Sequence, residues 1–277
     1  MIEVKDRIPT YPGRVKMTPV AGQANTYDMV RADEPIEPGT PINKVLMDSK
    51  ANILTEDITL YVNGTTGNDS TGDGSSGAPF ATVQKAVNSV PKVLGGHTAT
   101  ISITAGYYTE HLQVYGFQGG TLVIGDAGVN VGLYSIWVNA SSFVRVNIST
   151  LLNSTTGGLI ANNGSHVEIA SSLSIDIGNA YHSGISATGG SVVNSVADFF
   201  DMMSVDVNNC RFSAIYAATG GMVQLSVISG SGSAVGLRAD EGGVIYYGTS
   251  SLKATTATVT TKGARIYSGS QTSIPKY

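Results

Sequence analysis

The run ADFFDMMSVDVNNCRF, residues 197–212, places three carboxylates, Asp198, Asp201 and Asp206, close together and just ahead of a cation, Arg211. Two carboxylates facing each other across a sugar linkage can cleave it, one donating a proton and the other activating water or attacking directly. A base set beside a charge-neutralising cation offers proton abstraction instead. Glu110, Glu168, Asp176, Asp240 and Glu241, with Arg145, Arg238, His111, His166 and His182, complete the set of groups from which such a site would be drawn. A competing reading treats SVDVNNCRF as a strand running into a turn, with Asn208 and Asn209 suited to a left-handed corner. Five aromatics, Tyr107, Tyr108, Trp137, Tyr181 and Tyr246, are candidates to stack on sugar rings, although rings in repetitive β structure also fill cores and subunit contacts.

Other chemistries find less support. The histidines lack the i, i+4 spacing of a helical metal pair, so no metal site is expected. Asp69, Thr71, Asp73 and Gly74 imitate the start of a calcium loop, but the twelfth position is Phe80 where a bidentate Glu belongs. GSSGAPF lacks the lysine of a phosphate-binding loop. No cofactor is expected.

The 277 residues carry only 13% charged side chains, a net charge of −4 and no cluster of Lys or Arg, which argues against nucleic acid as a partner. No window holds the ~18 apolar residues of a membrane span, and the first residues lack the apolar core of a signal peptide, so assembly in a cytoplasm is expected. Cys210 is the single cysteine and excludes an internal disulfide. The 34 glycines show no collagen period and point to frequent tight turns.

Six of the nine prolines fall within residues 1–57. Proline removes ladder donors, so this segment is expected to be an extended arm or small adaptor. From residue 97 onward the chain alternates apolar and polar residues in short β-branched runs such as TATISIT, SHVEIAS and MVQLSVIS, which is the pattern of half-buried strands. Similar units begin at Ser135, Gly158, Gly184, Ala214, Gly236 and Gly263, giving steps of 23, 26, 30, 22 and 27 residues. Repeats of strand, tight turn and strand, without helical periodicity, predict an all-β fold: a parallel β-helix over 97–277 with about eight coils. Its open end needs cover. In residues 58–96 a strand and a polar loop lead to PFATVQKAVNSV, where Phe80, Val83, Val87 and Val90 line one helical face. A short capping helix is expected there, with Pro79 in its first turn and the preceding serines as caps.

These residues also carry a resemblance. YVNGTTGNDSTGDGSSGAPFATVQKAV, followed by ISITAGYYTEHLQV and LVIGD, resembles the beginning of right-handed parallel β-helix proteins of the pectin-lyase-like superfamily, frequent in phage tail fibres and tailspikes. The leader PGRVKMTPVAGQANTYDMVRADEPIEPGTPINKVLM is similar to that of tail-fibre-like proteins from phages and prophages of Gram-positive bacteria. Together they cover about the first 125 residues. The resemblance implies a homotrimer in the virion tail, held to tail or baseplate proteins through residues 1–57 and presenting its β-helix to a bacterial surface glycan or receptor. It also implies that Glu110, in GYYTEHL, is structural. The alternative on the same scaffold is a polysaccharide depolymerase, a hydrolase or lyase. The Asn-Thr-Asp, Asp-Asp and Gly-His-Gly motifs of polygalacturonase-type members are all missing from this chain, which speaks against hydrolysis of that kind.

Overall fold

The computed structural model describes residues 8–9, 15–31, 35–37, 53–152, 156–178, 181–195 and 204–268. The chain divides into two compact units, Met1–Asn52 and Ile53–Tyr277. In the first, Val15–Pro19 pairs antiparallel with Tyr27–Arg31, and Ile8–Pro9 pairs antiparallel with Pro35–Glu37. The second is a parallel β-solenoid of about seven turns, one fewer than the sequence reading expects.

The central turns of the solenoid contribute a strand to each of three faces, and in the later ones a single strand, Met222–Ser229 and then Val244–Ser250, runs through both the first and the second. The first face begins with Ile58–Val62 and Thr98–Ile103 and ends with Arg265–Ser268. The second runs from Gly106–Tyr107 through Val131–Leu133, Thr150–Leu152 and Leu173–Asp176 to Ser204–Asn208. The third stacks His111–Tyr115, Ser135–Asn139, Leu159–Asn162, Ser183–Ala187, Ser213–Ala217, Ser231–Ala239 and Lys253–Thr260. Alternation along a strand sends every second side chain inward. On the third face Leu112, Ile136, Leu159, Ile185, Ile215 and Leu237 therefore form one interior column, at most 3% exposed. On the first face Ala99, Leu122, Val144, Val167, Val193, Val223 and Ile245 form another. Fully burying a side chain of this size stabilises the fold by roughly 1.5–3 kcal/mol.

The pairing register reproduces four of the repeat steps and corrects the fifth. Ile136, Leu159, Ile185, Ile215, Leu237 and Thr258 are successive partners, which gives steps of 23, 26, 30, 22 and 21 residues, so the last is not 27. Gly263 belongs to the turn after the last third-face strand, and the strand equivalent to Ser231–Ala239 is the threonine-rich Lys253–Thr260.

One corner explains why these steps read so clearly. After each third-face strand the chain reverses through a left-handed residue: Gly116, Ala140, Asn163, Gly189, Thr219, Glu241 and Lys262 all have φ between 49° and 74° and occupy equivalent positions on successive turns. From Asn163 onward each is followed by a glycine of positive φ, the two-residue geometry for which Asn-Gly is the favoured pair. Beyond this turn lie the buried serines Ser141, Ser165 and Ser191, whose hydroxyls accept the N–H groups of Phe117, Ser141 and Ser165 on the preceding turns at 3.1–3.3 Å. Backbone donors at a buried corner need such partners.

The helix is Val83–Ser89, and Phe80, Val83, Ala86, Val87 and Val90 are all buried in the core as the periodicity predicts. Its cap differs from the expectation. Thr82 is the N-cap, accepting Lys85 N–H, while Pro79 and the serines lie outside the helix. The first N–H groups are taken by a distant carboxylate: Val83 and Gln84 donate to Glu110 Oε1 and Oε2 at 2.9 and 2.8 Å. Asp69 in turn accepts Ala81 N–H, Thr82 N–H and the Thr82 hydroxyl. Gln84 acts as a one-residue strand against the outermost third-face strand, accepting Gln113 N–H at 2.7 Å and donating to Gln113 O at 3.0 Å. This covers an edge that would otherwise be open to pairing.

Candidate functional site

Of the three carboxylates that open the sequence argument, Asp198 and Asp201 lie outside the described residues. Asp206 sits at an outward register position on the second face, in line with Thr150, Ser174 and Ser229. Its Oδ1 accepts the Ser229 hydroxyl at 2.8 Å and its Oδ2 accepts the Asn208 amide at 2.7 Å. On the next strand Asp176 accepts Gly178 N–H and the Asn209 amide. Asn209 has φ of 56°, as the corner reading expects, whereas Asn208 is the last residue of the strand Ser204–Asn208 and is not left-handed. These carboxylates tie one turn of the solenoid to the next.

The aromatic candidates separate into distinct settings. Tyr108 is 7% exposed, and its hydroxyl accepts Gly64 N–H and bonds Thr104, so its ring belongs to the core. Tyr107 is exposed, donates its hydroxyl to Leu152 O, and meets Tyr134 edge-on at 6.0 Å; Tyr134 in turn lies 5.2 Å from His111. Tyr246 stacks on Tyr267 at 4.9 Å on the first face. Trp137 occupies the outward column of the third face with Gln113, Ile160, Ser186, Tyr216 and Arg238, and its buried indole Nε1 has no hydrogen-bond partner among the described residues.

Tyr181, 68% exposed, joins the most developed cluster. It lies in the corner leading into the third face, with its ring 6.0 Å from Phe212, which meets Tyr216 edge-on at 5.1 Å. The Arg238 guanidinium stands 4.6 Å from the Phe212 ring centre, and Arg211 lies 5.9 Å from that of Tyr181. Arg238 Nε donates to Asp240 Oδ2 at 2.7 Å, while the Thr261 hydroxyl donates to Asp240 Oδ1 at 2.6 Å. Beside them Lys262 pairs with Glu241 at 2.6 Å. Burial works to raise the Asp240 carboxyl, but the hydrogen bonds from Thr261 and Arg238 and the charges of Arg238 and Lys262 outweigh it and hold the group below its usual range. The Tyr216 phenol is pushed up by burial and by the charge of Asp240, against a smaller opposing effect of Arg238.

The cluster is thus an aromatic shelf with guanidinium groups beside it, spread over three turns of the solenoid, or roughly 10 Å at the inter-strand spacing. Face-on apolar contact to a ring and N–H donation to oxygen are what it can offer a ligand. Sequence reasoning found Tyr181 and missed Phe212 and Tyr216. The repeat itself held the missing signal: Ser183 pairs with Ser213, which sets Tyr181 opposite Arg211 and His182 opposite Phe212.

The remaining charged candidates serve pairing. Arg145 Nε and Nη2 donate to the two oxygens of Glu168 across adjacent first-face strands, and His166 bonds Asn194. Glu110 caps the helix. No group of three or more His, Cys, Asp or Glu side chains poised for a metal exists among the described residues. No family model matches the chain, and no curated protein or solved structure is similar enough to count as a match.

Proposed function

We propose that this chain is a recognition protein of the phage tail fibre or tailspike kind, which binds a bacterial surface glycan on the flank of its solenoid. The observation that carries the reading is the Tyr181, Phe212 and Tyr216 shelf with Arg238 and Arg211 beside it. Rings with solvent-accessible faces next to hydrogen-bond donors suit sugars, which present C–H faces and hydroxyl rims. A rigid strand scaffold keeps such groups at fixed spacing, which limits the ordering cost of binding. In this reading residues 1–57 attach the protein to tail or baseplate proteins, and three copies assemble in the virion tail. A chain with 13% charged residues is compatible with a sizeable subunit interface.

The test is binding of the purified, fluorescently labelled protein to Gram-positive cells before and after chemical removal of surface polysaccharide, with reducing ends assayed in the supernatant. The expected result is binding that disappears with the polysaccharide and no release of reducing ends. Release of oligosaccharides would replace the reading with a depolymerase. Binding that survives stripping would move the receptor to a protein.

A further inference from the structure

The shelf has an asymmetry in its hydrogen-bonding capacity. Its acidic side chains are engaged within the protein: Asp240 accepts Arg238 through one oxygen and Thr261 through the other, and Glu241 accepts Lys262. Its guanidinium donors are not. Arg238 uses Nε for Asp240, and its Nη groups, like the whole guanidinium of exposed Arg211, make no hydrogen bond among the described residues. Asp240 fixes Arg238 in place against the Phe212 ring and leaves the far edge of the planar group open, with the side chain 30% exposed. The open charged groups beside the rings are thus donors, and the half-exposed Glu241, with one oxygen on Lys262, is the acidic side chain that keeps an oxygen without a partner among the described residues.

A neutral sugar presents hydroxyls that donate as readily as they accept. An anionic group presents acceptors only, and a planar guanidinium matches it with two parallel N–H bonds. Taking the glycan reading of this surface as its basis, we infer that the ligand is an anionic saccharide, with a carboxylate or phosphate group held by Arg238 and Arg211 while an adjacent ring lies on Tyr181 and Phe212. The net negative charge of the whole chain does not act against this locally, because charges farther than ~8–10 Å are screened at physiological salt. Charge-assisted bonds to the anion also predict weaker binding as salt rises.

The experiment measures binding of three size-matched oligomers to the full-length protein by calorimetry: carboxylated hyaluronan, poly(glycerol phosphate) and neutral dextran. The expected result is that one anionic oligomer binds at least 10-fold more tightly than dextran, and the identity of that oligomer separates carboxylate from phosphate recognition. Arg211→Gln and Tyr181→Ala, both at exposed positions, should weaken it at least 10-fold without altering the unfolding temperature. Arg238→Gln should do the same, but its loss of the Asp240 bond makes it the less clean variant. Binding of dextran equal to or tighter than both anions overturns the inference and leaves glycan recognition standing. Polysaccharide-dependent binding to cells with none of the three oligomers bound has the same consequence. Anion binding that Arg211→Gln and Tyr181→Ala leave unchanged overturns the assignment to this surface.

Discussion

Replacing Glu110 by Ala removes the only side chain among the described residues that reaches the first two N–H groups of the helix, because the Thr82 hydroxyl serves Lys85 N–H. Both lost bonds run to a carboxylate, a class worth ~1.5–3 kcal/mol each. Glu110 is part-buried, so the lower end of that range applies to each bond, giving a loss of about 3 kcal/mol for the pair. In a domain of this size each 1 kcal/mol moves the midpoint by roughly 2–4 °C, so thermal unfolding of Glu110→Ala is expected about 6–12 °C below wild type. Glu110→Gln keeps one acceptor oxygen and loses the charge, and should fall about halfway between. Circular dichroism melts of the three proteins at one concentration supply the comparison, and hydrogen exchange at Val83 and Gln84 locates the effect. A Glu110→Ala protein melting within 2 °C of wild type, with those two amides still protected, would refute the claim that this carboxylate holds the helix to the first coil.

Three further outcomes follow from local geometry. Thr219 is a β-branched residue at φ 52°, a conformation that Asn tolerates better, so Thr219→Asn should stabilise the protein by about 0.5–1 kcal/mol in urea unfolding. Cys210 is buried and its thiol is pushed up to about 11 by that burial, against smaller opposing effects of the Ser233 and Gly184 hydrogen bonds; a disulfide reagent at pH 8 should therefore label it only after denaturation. Asp69 is held below its ordinary value of 3.8: burial works to raise it, and bonds from Thr82 and Ala81 with the charge of Lys85 prevail. A carboxyl depressed in the folded state adds stability above its unfolded pKa and loses it as pH falls through the folded one. Asp69→Asn should therefore destabilise the protein at neutral pH and by progressively less as pH drops below 3.8, and a variant parallel to wild type throughout would contradict this.

The sequence by itself determined the fold class and most of the register. Inward positions repeat because each coil must refill the same interior, and turn residues recur because each corner needs the same backbone conformation; both leave marks at fixed offsets, as in Asn163-Gly164 and Gly189-Gly190. The register reading failed only in the last unit, where Thr256, Thr258 and Thr260 stand in the columns of Val235, Leu237 and Ala239, so the apolar signature vanishes and the wrong glycine invites alignment. The buried face of the helix was legible from its 3.6-residue spacing, but its caps were not. Glu110 is 27 residues from Val83, and no local pattern ties a carboxylate to a distant N-terminus.

The candidate site belongs to the tertiary structure. Tyr181, Phe212 and Arg238 lie on three different turns, and coil stacking at a pitch that an irregular repeat conceals sets Tyr181 6.0 Å and Arg238 4.6 Å from the Phe212 ring. Only stacking decides that Tyr108 faces inward while Tyr181 faces solvent, that Asp206 is taken up by Ser229 and Asn208, and that Asp240 steadies Arg238 against a ring. Inward positions answer to a packing rule that every coil shares, so they are readable one strand at a time. Outward positions answer only to whichever side chains the next turn sets beside them.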